Sequence, residues 1–209
     1  MTHTARGALI IACGALAREV AALRRINDWT ELDVKCLPPE LHNRPERIPG
    51  EVRALITASR AHYRCIFVAY GDCGTGGELD RVLAEEGVER IPGAHCYEFY
   101  ATTAVFEGLT CAEIGSFYLT DFLLRHFDRL VIRGLGLDRH PELFPLYFGN
   151  YRKLVYLAQS GGADAREQAR EIAQRLGLQF EYRWTGLGTL GSSLAAAMRR
   201  QQAGAAWAQ

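Results

Sequence analysis

Three short runs constrain this chain more than any other feature, because each is nearly free of charge and each stops at a turn of small residues. They are residues 7–12 (Gly-Ala-Leu-Ile-Ile-Ala), 65–69 (Cys-Ile-Phe-Val-Ala) and 153–158 (Lys-Leu-Val-Tyr-Leu-Ala). A run of this length with no polar alternation predicts a strand buried on both faces, the usual state of a strand in a parallel sheet. The turns after them are Ala12-Cys13-Gly14, Tyr70-Gly71-Asp72-Cys73-Gly74-Thr75-Gly76-Gly77 and Ser160-Gly161-Gly162. After each turn the apolar residues recur at helical spacing, as in Leu16, Val20 and Leu23.

Repeated strand–turn–helix units predict a three-layer α/β fold with a mostly parallel sheet and Rossmann-like units. The three turns also hint at a degenerate internal repeat in which serine replaces cysteine in the last copy. Further strands are expected at residues 32–37, 88–91 and 178–184, and further helices at 50–60, 78–86 and 163–176. Residues 97–127 read as mostly helical, interrupted near Gly108 and Gly115, 129–135 as helix or strand, and 140–147 as a short helix with a loop. At 209 residues the chain fits one α/β domain, or two similar halves dividing near residues 127 and 128. The small-residue-rich segment after Gly191, ending in Ala205-Ala206-Trp207, is expected to be a frayed tail or a dimer contact.

Charge excludes some partners. Lys plus Arg and Asp plus Glu both number 24, so no global field favours nucleic acid. No apolar run approaches the roughly 20 residues that span a bilayer, and the first seven residues carry no signal-peptide pattern. A cytoplasmic protein with no membrane partner is expected, and its six cysteines should then be thiols or metal ligands.

Cys13, Cys73 and Cys96 all lie in glycine-rich turns, and turns at one edge of a parallel sheet converge. His42 lies in a loop after the second strand and can reach the same edge. Three thiolates and one imidazole are a tetrahedral zinc set, while three thiolates alone would hold an iron–sulfur cluster with one open iron. The metal ligands expected are therefore Cys13, Cys73, Cys96 and His42. His42 doubles as an acid–base group, and His95 and Glu98 are candidate catalytic or orienting residues. Cys73, just before a helix, is alternatively a nucleophile with His42 or His95 as its base. Gly74, Thr75, Gly76 and Gly77 are candidates for cofactor binding through their amides, although the stretch lacks the Lys-Ser/Thr of a P-loop and the full GxGxxG pattern. Cys36, Cys65 and Cys111 fit the ordinary role of small buried hydrophobes. Arg18, Glu19, Asp138, Arg139, His140, Asn150 and Tyr151 are further polar groups near strand ends or in loops.

Four spaced motifs carry a resemblance: Cys13-Gly14-Ala15-Leu16-Ala17-Arg18-Glu19, Leu37-Pro38-Pro39-Glu40-Leu41-His42-Asn43, Tyr70-Gly71-Asp72-Cys73-Gly74 with Gly76-Gly77, and Gly93-Ala94-His95-Cys96-Tyr97-Glu98. Over about residues 9–190 the chain resembles the family catalogued as domain of unknown function 1638. The resemblance implies a bacterial or archaeal cytoplasmic protein, often encoded beside corrinoid methyltransferase systems, and brings no settled activity. Together these readings lead to an expected metal-dependent enzyme or enzyme accessory acting on a small molecule, linked to methyl-group chemistry. The alternatives are a non-catalytic carrier of a corrinoid, folate or metal, and an iron–sulfur protein.

Overall fold

A computed structural model describes residues 6–206, with side chains from residue 7 to residue 200. In chain order the main elements are β1 (Arg6–Cys13), α1 (Ala17–Ile26), β2 (Leu32–Leu37), α2 (Ile48–Ser59), β3 (Tyr63–Ala69), α3 (Glu78–Glu86), β4 (Glu89–Arg90), α4 (Tyr97–Ala101), α5 (Thr103–Ala112), β5 (Ser116–Thr120), α6 (Asp121–Arg125), α7 (Phe144–Phe148), β6 (Lys153–Ala158), α8 (Ala163–Leu176), β7 (Gln179–Trp184) and α9 (Leu190–Ala206). The expected three-layer α/β class holds, and every strand pair is parallel.

The chain divides into two compact units. The first comprises residues up to Cys96 together with the segment from Leu190, and the second is Tyr97–Thr189. Each unit has its own sheet, ordered β2-β1-β3-β4 in the first and β5-β6-β7 in the second.

In the first unit β1 is the covered central strand, with Leu9, Ile10, Ile11 and Ala12 all fully buried. It pairs with β2 on one side, Ala12 opposite Cys36, and with β3 on the other, Ala12 opposite Ala69. The chain leaves β1 for β2 on one flank, then returns past β1 to place β3 on the opposite flank. The carboxyl ends of β1 and β3 therefore flank the point where the strand order reverses, the crevice in which open α/β sheets bind ligands. Helix α3 is closed by Gly87, left-handed at φ 62°, where the Gly87 amide bonds to Ala84 O and the Val88 amide to Leu83 O. Segment α9 belongs to this unit and is helical through Ala206, while Trp207 lies outside the described residues. The first five residues, part of the expected signal-free start, also lie outside them.

The second unit corrects one expectation. Residues 97–127 are mostly helical with breaks, as expected, but the break after Gly115 is a strand, Ser116–Thr120, which pairs with Lys153 to Leu157 of β6. Five residues rich in aromatics satisfy either period, so burial decided the matter. The local signals were Gly115, where a Cβ would stand 2.7 Å from Asn150 O, and Thr120, whose hydroxyl accepts the Leu123 amide at 3.2 Å and caps α6. Residues 129–135 overlap a π-helical turn, Asp128–Ile132. The larger core of this unit packs Leu119, Phe127, Val131, Phe148, Leu154 and Tyr156 together under α8.

Candidate cysteine–histidine site

Cys13 is the last residue of β1 and is buried. Its sulfur accepts the Ala15 amide at 3.3 Å and so caps the short turn Gly14–Leu16. The switch point thus begins with a thiol fixed in place by the backbone beside it. His42 is supplied by the 3-10 turn Pro39–Asn43 after β2, where Pro39 at the first position starts the turn. Its Nδ1 lies 3.1 Å from Pro39 O and 3.9 Å from Cys13 Sγ. A carbonyl only accepts, so Nδ1 carries a hydrogen. The imidazole stacks near-parallel on Tyr70, with ring centroids 6.1 Å apart.

Tyr70 and Cys73 come directly after β3. Tyr70 is fully buried, and its hydroxyl makes no well-formed hydrogen bond but lies under the influence of the Cys13 sulfur. Burial, then the sulfur of Cys13, pushes its phenol above the usual range. Cys73 is buried and left-handed at φ 52°, one of three such non-glycine residues among those described. For an L-residue this conformation costs about 1 kcal/mol, and such strain tends to collect at functional sites.

Two segments are laced together here. The Asp72 amide donates to Gly93 O at 3.0 Å and the Cys73 amide to Ala94 O at 2.8 Å. Gly71 permits this approach, since a Cβ there would stand 2.8 Å from the His95 carbonyl carbon and 3.1 Å from the Cys96 nitrogen. The lacing brings Cys96 and His95 to Cys73.

The electrostatics show how tightly the four groups interact. The hydrogen bond from Cys96 acts first on Cys73. Against burial, and with His42 and His95 adding to it, it lowers the Cys73 thiol to about 3. Burial works to lower His42, but hydrogen bonds and charge from Cys13 and Cys73 outweigh it and raise the imidazole to about 11. Cys96, in turn, is held well above the usual thiol range by its bond to Cys73 and by burial. These shifts favour a charged pair, Cys73 as thiolate and His42 as imidazolium, with Cys96 a neutral donor.

The glycine loop serves a different purpose from the one its composition suggests. The Asp72 carboxylate accepts Thr75 Oγ1 at 2.5 Å, the Gly76 amide at 3.1 Å and the Gly77 amide at 2.8 Å. Burial would raise Asp72, and these three donors instead hold it below the carboxylate range. Two of the amides that an external phosphate would use are therefore engaged by the chain's own anion. Gly74 and Gly77 are left-handed at φ 86°, and Gly77 leads into α3.

The structure thus draws Cys13, His42, Cys73, Cys96 and the exposed His95 to one strand edge. Glu98 is buried in the second unit, in the first turn of α4. Arg18 is exposed and Glu19 buried, while Asp138, Arg139, His140, Asn150 and Tyr151 are exposed. Cys36 and Cys111 are exposed and Cys65 half-buried, so none is the fully buried hydrophobe expected of it. Tyr70 is the residue whose role the sequence did not announce, and its place directly after a buried strand was the available signal.

Zinc and iron–sulfur chemistry call for thiolate and imidazole donors, and these are present. Among the described residues, however, no three or more His, Cys, Asp or Glu side chains are arranged so as to hold a metal ion. The expected ligands lie beside one another, with His42 Nδ1 3.9 Å from Cys13 Sγ, and Cys96, His42 and His95 all act on the acidity of Cys73. Among the described residues no helix is long and apolar enough to cross a membrane.

Residues 36–194 match the model of the family described as "Protein of unknown function (DUF1638)". The matched span includes His42, Cys73, His95, Cys96 and Glu98, and it begins after Cys13. No curated protein and no solved structure matches the chain.

Proposed function

Since this chain belongs to the DUF1638 family, which carries no assigned activity, we propose its function from the site alone: a thiol-dependent enzyme acting on a small electrophilic molecule, with Cys73 as nucleophile. The observation that carries this reading is the convergence of Cys96, His42 and His95 on one strained, buried cysteine at the switch point of the first sheet. A thiolate flanked by an imidazolium and a thiol donor is the arrangement that nucleophilic cysteine chemistry needs.

The roles follow from the charges. Cys73 attacks. His42 is already protonated at neutral pH, so it serves as counter-ion and then as the acid that protonates a leaving group, rather than as a base. Cys13 and Pro39 O hold the imidazole in place through Nδ1. Cys96 donates to the Cys73 sulfur and restrains it until an electrophile arrives. Tyr70 forms the wall on which the imidazole rests.

The test is alkylation of the anaerobically purified protein with limiting iodoacetamide, followed by mass mapping. Cys73 is expected to react first despite its burial, and Cys73→Ser to remove that modification. Preferential reaction at exposed Cys36 or Cys111, with Cys73 inert, would overturn the reading.

A second reading keeps the expected zinc. The donor set favours it, because Cys13, Cys73, Cys96 and His42 all reach one edge. Elemental analysis decides: one zinc per chain, lost in Cys13→Ser, Cys73→Ser and Cys96→Ser, would make the thiolates ligands. A visible iron–sulfur spectrum would support the cluster instead. The corrinoid and folate link rests on the family resemblance, and no residue of the site argues for it.

A further inference from the structure

We infer that Cys73 and Cys96 form a reversible dithiol–disulfide pair that exchanges with low-molecular-mass disulfides, an inference resting on the reading of Cys73 as the reactive thiol. The pair stands on geometry. Their two segments are joined by main-chain hydrogen bonds at Asp72–Gly93 and Cys73–Ala94. Gly71, next but one to Cys73, packs directly on the backbone of His95 and Cys96 with no room for a side chain. Each thiol is the first influence on the acidity of the other, as neighbouring side chains would be.

Cys13 is the competing partner, and its position disfavours it. It ends a fully buried central strand, and its sulfur is committed to the Ala15 amide. Cys96 by contrast ends residues 91–96, which form neither helix nor strand and so can adjust as bond formation needs.

The exchange balances in two steps. The Cys73 thiolate attacks one sulfur of a small disulfide, whose S–S bond breaks. The leaving thiolate takes the His42 proton and departs as a thiol, leaving Cys73 in a mixed disulfide. Cys96 then gives up its proton to water and attacks the Cys73 sulfur. The second small thiolate leaves and takes a proton from water. Two protein thiols are oxidised by two electrons and one small disulfide is reduced to two thiols, so the external disulfide is the oxidant.

The experiment equilibrates the full chain with oxidised and reduced glutathione at a series of ratios. Thiols are then counted after denaturation, and the cross-linked peptides are mapped. Wild type is expected to fall from six titratable thiols to four, reversibly, with one bridge joining Cys73 to Cys96. Cys96→Ser is expected to stop at a stable Cys73–glutathione adduct. A wild-type protein that keeps the adduct and never forms the bridge overturns the pair but leaves Cys73 reactive. Protein in which Cys73 forms neither bridge nor adduct overturns the underlying reading as well. A Cys73–Cys13 bridge overturns the choice of partner. The wild-type map stands alone should Cys96→Ser fail to fold.

Discussion

The two units end their central strands in different ways. In the first, β1 and β3 run out at Cys13 and Tyr70, and the chain there holds a strained cysteine, a buried phenol hydroxyl set among thiols, and a thiol whose acidity is raised by a histidine. In the second, β5 and β6 run out at Asp121 and Gln159, and these polar groups are bonded to one another. The Asp121 carboxylate accepts Tyr156 Oη at 2.8 Å, the Gln159 amide at 3.1 Å, and both the amide and the hydroxyl of Ser160 at 2.8 Å. Its own amide donates to Gln159 Oε1 at 2.9 Å. Burial would raise this carboxyl, and the donors instead hold it below the usual range. The second sheet runs in simple order, β5-β6-β7, with no reversal and hence no switch-point crevice between its strands. A strand end that is satisfied internally is structural, while one left with reactive groups is available for chemistry.

The sharpest way to break that contrast is the pH dependence of Cys73 alkylation. Between pH 5 and 8 an ordinary thiol slows about a thousandfold as pH falls, since the thiolate is the nucleophile. Cys73, held at about 3, is expected to react at a level rate across that range. In His42→Ala the rate should fall with pH at its acid end. Residue-resolved mass spectrometry reads both, and a wild-type Cys73 that titrates like an ordinary thiol would make both strand ends structural.

Next in size is Asp121→Ala, which strips a buried carboxylate from four donors. A loss of about 3 kcal/mol is expected in urea unfolding. The linkage has a definite sign: with its pKa depressed, Asp121 stabilises above its unfolded value, about 3.9, and that stability is lost as pH falls through the folded value. The difference between wild type and variant should therefore narrow in acid, and a constant difference would show that the carboxylate charge is not what the donors hold.

Gly71→Ala should cost about 2 kcal/mol, because its methyl group has only main-chain atoms to displace. It should also part Cys96 from Cys73 and lift the Cys73 pKa, visible in the same alkylation profile. A neutral substitution would mean the two segments are not held against each other.

The last comparison is of thermal stability. His42, raised from 6.5 to about 11, adds stability that is complete below 6.5 and lost as pH rises toward 11. Cys73, lowered from 9.0 to about 3, adds stability that is complete above 9 and lost as pH falls toward 3. Between 6.5 and 9 the opposite slopes cancel. The pair's contribution to the melting temperature should be a plateau over that window with a decline on either side. Comparing wild type with Cys73→Ser across pH measures it, and a difference that climbs steadily through the window would break the ion pair.

Particular residues show how much was legible beforehand. Leu154 to Ala158 and residues 7–12 announced central strands because a run with no polar face has nowhere to sit but inside a parallel sheet. Residues 78–86 and 163–176 announced helices, and the glycines that follow them, Gly87 and Gly177, are left-handed. Ser116–Thr120 was not legible, since a five-residue apolar run fits either period until a neighbour such as β6 pairs with it. The Ser160 turn was recognisable as the odd copy of a repeat, but its partner Asp121 was not, being 39 residues away in sequence.

By itself the sequence determined the repeated strand–turn–helix units, the parallel pairing they impose and the set of thiols at the turns. Those come from local periodicity and from where glycine lets the backbone turn. Only the tertiary structure decided which turns meet. Strand order placed β1 beside β3 and so Cys13 near Cys73, and the bare backbone of Gly71 let the His95–Cys96 segment close over them. The charge on Cys73 was likewise settled there, because a thiol's acidity depends on the donors that reach it, and these arrive from separate stretches of chain.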